Sequence, residues 1–146
     1  GPETVEDILA LTKAPVIASH SGCRALCDVI RNLTDEQMLA VKANGGTVQI
    51  VAYAGFLKNP AKAADLKVFV NHIDYAVKLM GIDHVGIGSD LDGGGGIPGF
   101  ENPSDCMRVT GELIRRGYSD RDIEKIWGGN LLRVWREVIA VSKNMR

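Results

Sequence analysis

The chain has 146 residues, with 17 basic and 18 acidic side chains and a formal net charge of −1. This balance, without a long basic stretch, argues against a nucleic-acid partner, and no apolar run approaches the roughly 20 residues of a membrane span. The hydrophobic share of 45% is typical of an ordinary soluble globular domain.

Helical and strand patterns alternate along the first half of the chain. An amphipathic pattern over residues 3–12 predicts a helix that Pro15 ends. The apolar run over residues 16–20 predicts a buried parallel strand whose carboxyl end is His20. Thr34 and Gln37 form a capping-box pattern, which predicts the start of a second helix.

The alternation continues in the second half. Residues 47–53 are rich in β-branched side chains and predict a second strand. Residues 64–80 predict a long amphipathic helix that Gly81 ends, and residues 84–89 predict a third strand with Asp90 at its tip. For the remaining helices we expect Ser104 to cap one that runs to about residue 116, and Ser119 to cap those over residues 120–141.

Strands that alternate with helices predict right-handed βαβ units and a parallel sheet. Three strands form a poor sheet by themselves, because both faces and both edges need cover. The α/β chain is therefore expected either to assemble with further strands or to be part of a larger barrel. Without a repeat or a linker, residues 1–146 read as one structural unit.

Polar side chains gather at the predicted carboxyl ends of the strands, where α/β barrels carry their chemistry. His20 suits zinc, because a neutral imidazole binds that metal well, and Asp90 can bind a metal or accept a proton. Arg31 lies in a loop above the same end, where a guanidinium can clamp a carboxylate. Each residue also has a structural alternative. His20 would then bond to a backbone carbonyl, Asp90 would be a turn residue, and Arg31 would be a solvated surface side chain.

Several other features carry no predicted chemistry. His72 and His84 are expected to be structural or exposed. The glycines at 93–96 are not followed by the Lys-Ser/Thr pair of a phosphate-binding loop, which argues against a nucleotide site. The cysteines are odd in number and lack zinc-finger partners, so we expect reduced structural thiols in a cytoplasmic protein; a disulfide or metal role is the alternative. They are Cys23, Cys27 and Cys106.

A series of motifs resembles the membrane (renal) dipeptidase family of zinc metallopeptidases, and the resemblance covers essentially the whole chain. It implies a TIM-like (β/α)8 barrel, of which residues 1–146 would be the C-terminal half, with about three βα units and strands six to eight. The N-terminal half of that barrel would be absent from this chain. The motifs are APVIASHS at 14–21, RNLTD at 31–35, HVGIGSDLDG at 84–93, RRGYS at 115–119 and GNLLRV at 129–134.

The resemblance also implies residue roles around two zinc ions in a complete enzyme that hydrolyses dipeptides, including those with a D-residue at the C-terminal position. His20 matches the metal-binding histidine of the sixth strand, and Arg31 matches the arginine that holds the substrate carboxylate. Asp90 matches the catalytic aspartate of the eighth strand, and Tyr53 matches a substrate-pocket tyrosine of the seventh. The remaining metal ligands of the family have no counterpart in this chain.

Two local departures leave the preferred dipeptide open: Val51-Ala52 replace the Asn-Phe of many relatives, and Val29-Ile30 replace a His-Pro common in bacterial ones. We expect dipeptide hydrolysis only when the N-terminal half is supplied, by another chain or by a longer precursor, and assembly of several copies stays open. One alternative is an inactive fragment or a non-catalytic binding or structural module. Another is an amidohydrolase-like barrel that acts on a different amide or on a lactone.

Overall fold

The computed structural model describes residues 2–144, which form an α/β fold with one small parallel sheet and helices around it. No helix in this range has the length and apolar character needed to cross a membrane. The elements in chain order are α1 (Pro2–Leu11), β1 (Ile17–Ser21), α2 (Asp35–Ala43), β2 (Thr47–Ile50), α3 (Ala54–Leu57), α4 (Leu66–Met80), β3 (Val85–Ile87), α5 (Cys106–Arg115), α6 (Asp120–Glu124) and α7 (Asn130–Asn144).

The strands run parallel in the order β1-β2-β3, as the alternating pattern predicts. Val48 in the central strand pairs with Ala18 on one side and Val85 on the other. The register between β1 and β2 shifts between Ala18 and Ser21, so β1 bulges just before its carboxyl end. A bulge of this kind bends a strand and redirects the side chains it carries.

The core lies between this sheet and the helices that follow the strands. α4 packs against α2, α5 and β3, and its apolar face carries Phe69 and Ile73, both fully buried. Burying a side chain of this size stabilises a fold by about 1.5–3 kcal/mol. α1 is less well covered, because 83% of Leu11 and 50% of Ile8 remain exposed.

Local sequence signals place most helix ends correctly. Thr34 and Gln37 form the predicted capping box of α2, and Ser119 caps α6 through a second capping box with Asp122. The prediction that Ser104 caps a helix is wrong. Asn102 accepts the backbone N–H of Ser104 and caps a short 3-10 turn, and α5 begins only at Cys106.

The second and third strands are shorter than predicted, whereas β1 has the predicted length of five residues. β2 ends at Ile50 and β3 spans only Val85–Ile87, so Tyr53 and Asp90 lie in the segments that follow the strands. The backbone of these segments still bonds across the sheet, since Ala52 N–H donates to the Ser89 carbonyl at 3.3 Å. α4 begins at Leu66, two residues later than predicted, because Asp65 caps it through Val68 N–H.

Candidate functional site

The predicted site residues lie together at the carboxyl ends of the three strands. They line one open cleft of about 380 Å³, whose walls are His20, Arg31, Tyr53, Phe56, Asp90 and Gly93. Each strand contributes, because β1 carries His20, the segment after β2 carries Tyr53, and the segment after β3 carries Asp90. Parallel strands bring their carboxyl ends to one edge, which explains this convergence.

His20 sits in the bulge of β1 with an accessible imidazole. Its Nδ1 lies 3.0 Å from the Ser19 hydroxyl oxygen, and its Nε2 lies 3.8 Å from Oδ1 of Asp90. The two side chains are 43% and 33% exposed. Since the hydroxyl engages one ring nitrogen, the other nitrogen faces the cleft and the carboxylate.

Asp90 is held by a tight glycine turn rather than by a strand. Its φ of 62° lies in the left-handed region, which aspartate tolerates better than most residues. The N–H groups of Gly93 and Gly95 both donate to its carbonyl, at 3.0 and 2.7 Å. A Cβ on Gly93 would collide with the Asp90 carboxylate, and one on Gly95 would lie 2.5 Å from the Ser89 carbonyl oxygen. The glycine run thus makes room for the carboxylate.

Arg31 stands over an aromatic pair that sequence analysis did not anticipate. Its guanidinium carbon lies 5.6 Å from the centre of the Phe56 ring, and the Phe56 ring meets Tyr53 edge-on at 4.9 Å. A cation above an aromatic face is stabilised by the ring quadrupole. Phe56 follows Tyr53 by three residues on the single-turn helix α3, and this spacing was the available signal for finding it.

His72 and His84 have structural contacts, as predicted. Cys23 N–H donates to Nδ1 of His72 at 3.0 Å, so the proton is on Nε2, which donates to the Leu57 carbonyl at 2.9 Å. Burial lowers the pKa of this imidazole and keeps it neutral. Nδ1 of His84 lies 2.8 Å from the Gly46 carbonyl oxygen, away from the cleft.

The three cysteines are free thiols, of which Cys23 and Cys27 are buried. Burial, with the nearby Asp35 carboxylate, raises the pKa of Cys23 to about 12. This thiol therefore stays protonated, and it donates to the backbone carbonyl of His72 at 3.4 Å. Its role is structural.

Comparison with known families identifies the chain. The family model described as "Membrane dipeptidase (Peptidase family M19)" matches residues 1–146. The chain belongs to this family. Its members are hydrolases of the metallopeptidase class.

Curated relatives of this M19 chain carry dipeptidase names. Dipeptidase ataJ of Aspergillus terreus is 43% identical over 142 residues, which are 95% of this chain and 34% of that relative. Dipeptidase 3 of Rattus norvegicus is 36% identical over 140 residues, which are 95% of this chain and 28% of that relative. The M19 chain therefore spans about a third of the length of these relatives.

Solved structures share its fold. The probable dipeptidase PvdM from Pseudomonas aeruginosa superposes with a TM-score of 0.87 at 37% identity, covering 92% of this chain and 47% of that one. A metallo peptidase from Rhodobacter sphaeroides, liganded with a phosphinate mimic of the dipeptide L-Ala-D-Ala, gives a TM-score of 0.85 at 27% identity. That match covers 91% of this chain and 39% of the other.

The metallopeptidase family implies a metal cofactor. The cleft contains suitable donor atoms, but fewer than a catalytic metal usually binds. His20 offers an imidazole nitrogen and Asp90 a carboxylate, both of which are ordinary zinc ligands. Catalytic zinc usually takes three protein ligands. Among the described residues, no three His, Cys, Asp or Glu side chains come together to hold an ion. The cleft of this M19 chain thus offers two side chains of the kinds that zinc binds.

Proposed function

We propose that this chain supplies one wall of the active site of a zinc-dependent dipeptidase. The observation that carries the proposal is the 3.8 Å approach of His20 Nε2 to Asp90 Oδ1 in a cleft that Arg31 also lines. An imidazole, a carboxylate and a guanidinium are the groups needed to bind a metal, move a proton and hold a substrate carboxylate.

In this proposal the chain forms the C-terminal half, with strands six to eight, of a TIM-like (β/α)8 barrel. In support, β1 and β3 have free edges within the described residues. The sheet also curves at its carboxyl end, because a Cβ on Gly88, just after β3, would collide with the Ser19 carbonyl in the bulge of β1 although β2 lies between them. In a flat sheet, strands two places apart lie roughly 9.5 Å from one another.

An exposed apolar groove is consistent with a missing barrel half. The groove has a volume of about 300 Å³ and lies between the start of β1 and helix α7. Trp135 is 65% exposed there and Ile17 is 45% exposed. Apolar surface of this kind is favourably covered by further protein. We propose that the N-terminal half of the same barrel covers it; the lining residues are Pro15, Ile17, Leu131, Val134, Trp135, Val138 and Ile139.

The proposed mechanism assigns each cleft residue one task. Zinc, when bound, would polarise the scissile carbonyl and lower the pKa of a coordinated water. His20 would hold the metal through Nε2. Asp90 would take up a proton from the attacking water and pass it to the amine nitrogen as the peptide C–N bond breaks. Arg31 would grip the terminal carboxylate of the substrate in bidentate fashion, which favours dipeptides over longer peptides. Tyr53 would contact the substrate beside Phe56.

The experiment compares two forms of the protein. One is the 146-residue chain, and the other is the full-length polypeptide expressed from its own gene, with any residues that the gene encodes beyond the 146. We expect the full-length form to contain zinc and to hydrolyse L-Ala-D-Ala. The 146-residue chain should show negligible activity until the N-terminal half is added. Hydrolysis by the short chain alone would contradict the half-barrel assignment, and an inactive full-length form would contradict the dipeptidase assignment.

The partial ligand set favours a second candidate, a non-catalytic binding or structural module. Metal analysis and native mass measurement separate the two, because a dipeptidase requires both zinc and the remaining ligands, on the same or a second polypeptide.

A further candidate follows from a Pseudomonas aeruginosa amidohydrolase, which superposes with a TM-score of 0.84 at 26% identity. A substrate panel that contrasts dipeptides with other amides and lactones tests it.

A further inference from the structure

A buried asparagine joins the three segments that surround the Arg31 side chain. Asn32 is 1% exposed, and both the oxygen and the nitrogen of its side-chain amide are hydrogen-bonded. Its Oδ1 accepts Gly22 N–H at 2.8 Å, and its Nδ2 donates to the carbonyls of Cys27 and Phe56 at 2.8 and 2.7 Å. His72 makes a second link between the same two segments, from Cys23 N–H in the loop after β1 to the Leu57 carbonyl at the end of α3.

Each of these bonds ties down a different part of the cleft. Gly22 follows β1, the strand that carries His20. Cys27 lies in the middle of the loop that returns to Arg31, and Phe56 carries the ring beneath the guanidinium. The packing leaves no spare volume, because a Cβ on Gly22 would lie 2.7 Å from the Asn32 oxygen and 2.8 Å from the Phe56 carbonyl oxygen.

The Arg31 side chain itself has little else to fix it. Among the described side chains, no carboxylate lies within ion-pair distance of its guanidinium, which packs on the Phe56 ring. Arg31 is exposed while the next residue is buried. The Asn32 amide therefore helps to hold the backbone of Arg31, together with the Arg24 guanidinium, which donates to the Ile30 carbonyl at 2.7 Å. The Phe56 ring supports the Arg31 side chain.

We propose that Asn32 is a positioning residue for Arg31, which fixes the guanidinium at the distance from His20 and Asp90 that the carboxylate of a dipeptide requires. This rests on the proposed dipeptidase function. Asn32 touches no substrate and acts through Arg31. Its loss should therefore weaken recognition of a substrate carboxylate while leaving the hydrolytic groups in place.

The chain offers a matched control in Asn130. This residue is also buried, at 3% exposure, and its Nδ2 also donates to two backbone carbonyls, those of Ile82 and Val85. Those carbonyls flank the start of β3, at the end of the sheet opposite the cleft. Asn130→Ala thus removes two Nδ2 bonds to backbone carbonyls, and Asn32→Ala removes two bonds of the same kind together with the one from Gly22 N–H. Only Asn32 lies beside Arg31.

The test uses the full-length protein and two substrates, L-Ala-D-Ala and its C-terminal amide, which lacks the carboxylate. For Asn32→Ala we expect KM for the dipeptide to rise by about 10- to 100-fold with kcat within about threefold, since only binding energy is lost. The preference for the dipeptide over the amide should fall by a similar factor. Asn130→Ala should leave this preference unchanged.

The outcomes separate the two proposals. If Asn32→Ala changes the kinetics of both substrates equally, as Asn130→Ala does, the positioning role is overturned and the dipeptidase assignment stands. If the wild type neither hydrolyses the dipeptide nor binds a phosphinate mimic of L-Ala-D-Ala, the dipeptidase assignment itself is overturned. Should Asn32→Ala fail to fold by circular dichroism, Asn32→Ser carries the same comparison, because its hydroxyl can retain one of the bonds.

Discussion

Nε2 of His20 lies 3.8 Å from Oδ1 of Asp90, although His20 belongs to β1 and Asp90 follows β3, two strands that do not pair with each other. Two features produce this approach. The bulge in β1 places the imidazole on the open cleft, and the glycine turn after β3 holds the carboxylate opposite it. The pair is accessible from solvent, as a site that takes in a substrate must be.

Replacing Asp90 tests the proposed proton transfer. In the full-length protein, Asp90→Asn keeps the shape of the side chain but removes its basicity. We expect kcat to fall by about 10²- to 10⁴-fold, the usual contribution of a general acid or base. Zinc content, measured by plasma mass spectrometry, should change far less. Asp92→Asn is the control, because that aspartate is exposed and lies outside the cleft wall; equal losses in both variants would remove the special role of Asp90.

Replacing Arg31 by lysine tests bidentate recognition of the substrate carboxylate. Lysine keeps the positive charge but lacks the planar fork and stacks less well on an aromatic ring. KM for a dipeptide should rise by about tenfold or more, and Phe56→Leu should cause a smaller rise, since it removes only the ring beneath the guanidinium. Steady-state kinetics provide the measurement. Arg108→Lys, on an arginine that is 67% exposed and paired with Asp105, should have no effect.

The glycine turn predicts a sharp contrast between two Gly→Ala substitutions. At Gly93 the added Cβ would collide with the Asp90 carboxylate, so Gly93→Ala should displace that group and lower turnover. At Gly111, inside α5, the added Cβ meets no atom within 4 Å. Gly111→Ala should therefore leave activity unchanged and raise the free energy of unfolding by about 0.5–1 kcal/mol. Normal turnover in Gly93→Ala would show that the turn does not hold Asp90.

The carboxylate of Glu112 in α5 predicts a pH dependence of stability. Glu112 accepts hydrogen bonds from Arg115 at 2.6 and 2.7 Å and from Arg116 at 2.9 Å. These bonds, led by those of Arg115, outweigh burial and lower the pKa of Glu112 to about 2 from an ordinary value of 4.5. Because the folded pKa lies below the unfolded one, the stabilisation is complete above pH 4.5 and is lost as the pH falls through 2.

Glu112→Gln should accordingly lower the free energy of unfolding by on the order of 1–3 kcal/mol at pH 7. The difference from wild type should shrink steadily as the pH falls towards 2, and urea denaturation across this range measures it. Glu124→Gln, on an exposed glutamate, is the matched control and should show neither effect. A difference that stays constant with pH would mean that the charge of Glu112 contributes nothing.

Much of the fold could be predicted from short-range patterns. The helix caps are the clearest case, because the residues that give the sequence signal also form the capping hydrogen bonds, three positions apart. This holds for Thr34 with Gln37 and for Ser119. Ser104 shows the limit of such reasoning, since Asn102 competes for the same N–H group and takes it. The end of β2 was overestimated because apolar residues, beginning with the β-branched Val51, continue after Ile50, where the strand ends.

What the sequence alone determined was the parallel α/β order, the family resemblance and the expectation that His20, Arg31, Tyr53 and Asp90 meet at one edge. Periodicity and motifs carry that information because they depend on residues close together in the chain. Only the tertiary structure placed Phe56 beneath Arg31 and fixed Asn32 between three separate segments. Those relationships depend on a strand bulge and on backbone carbonyls brought together from distant positions, and no local pattern encodes them.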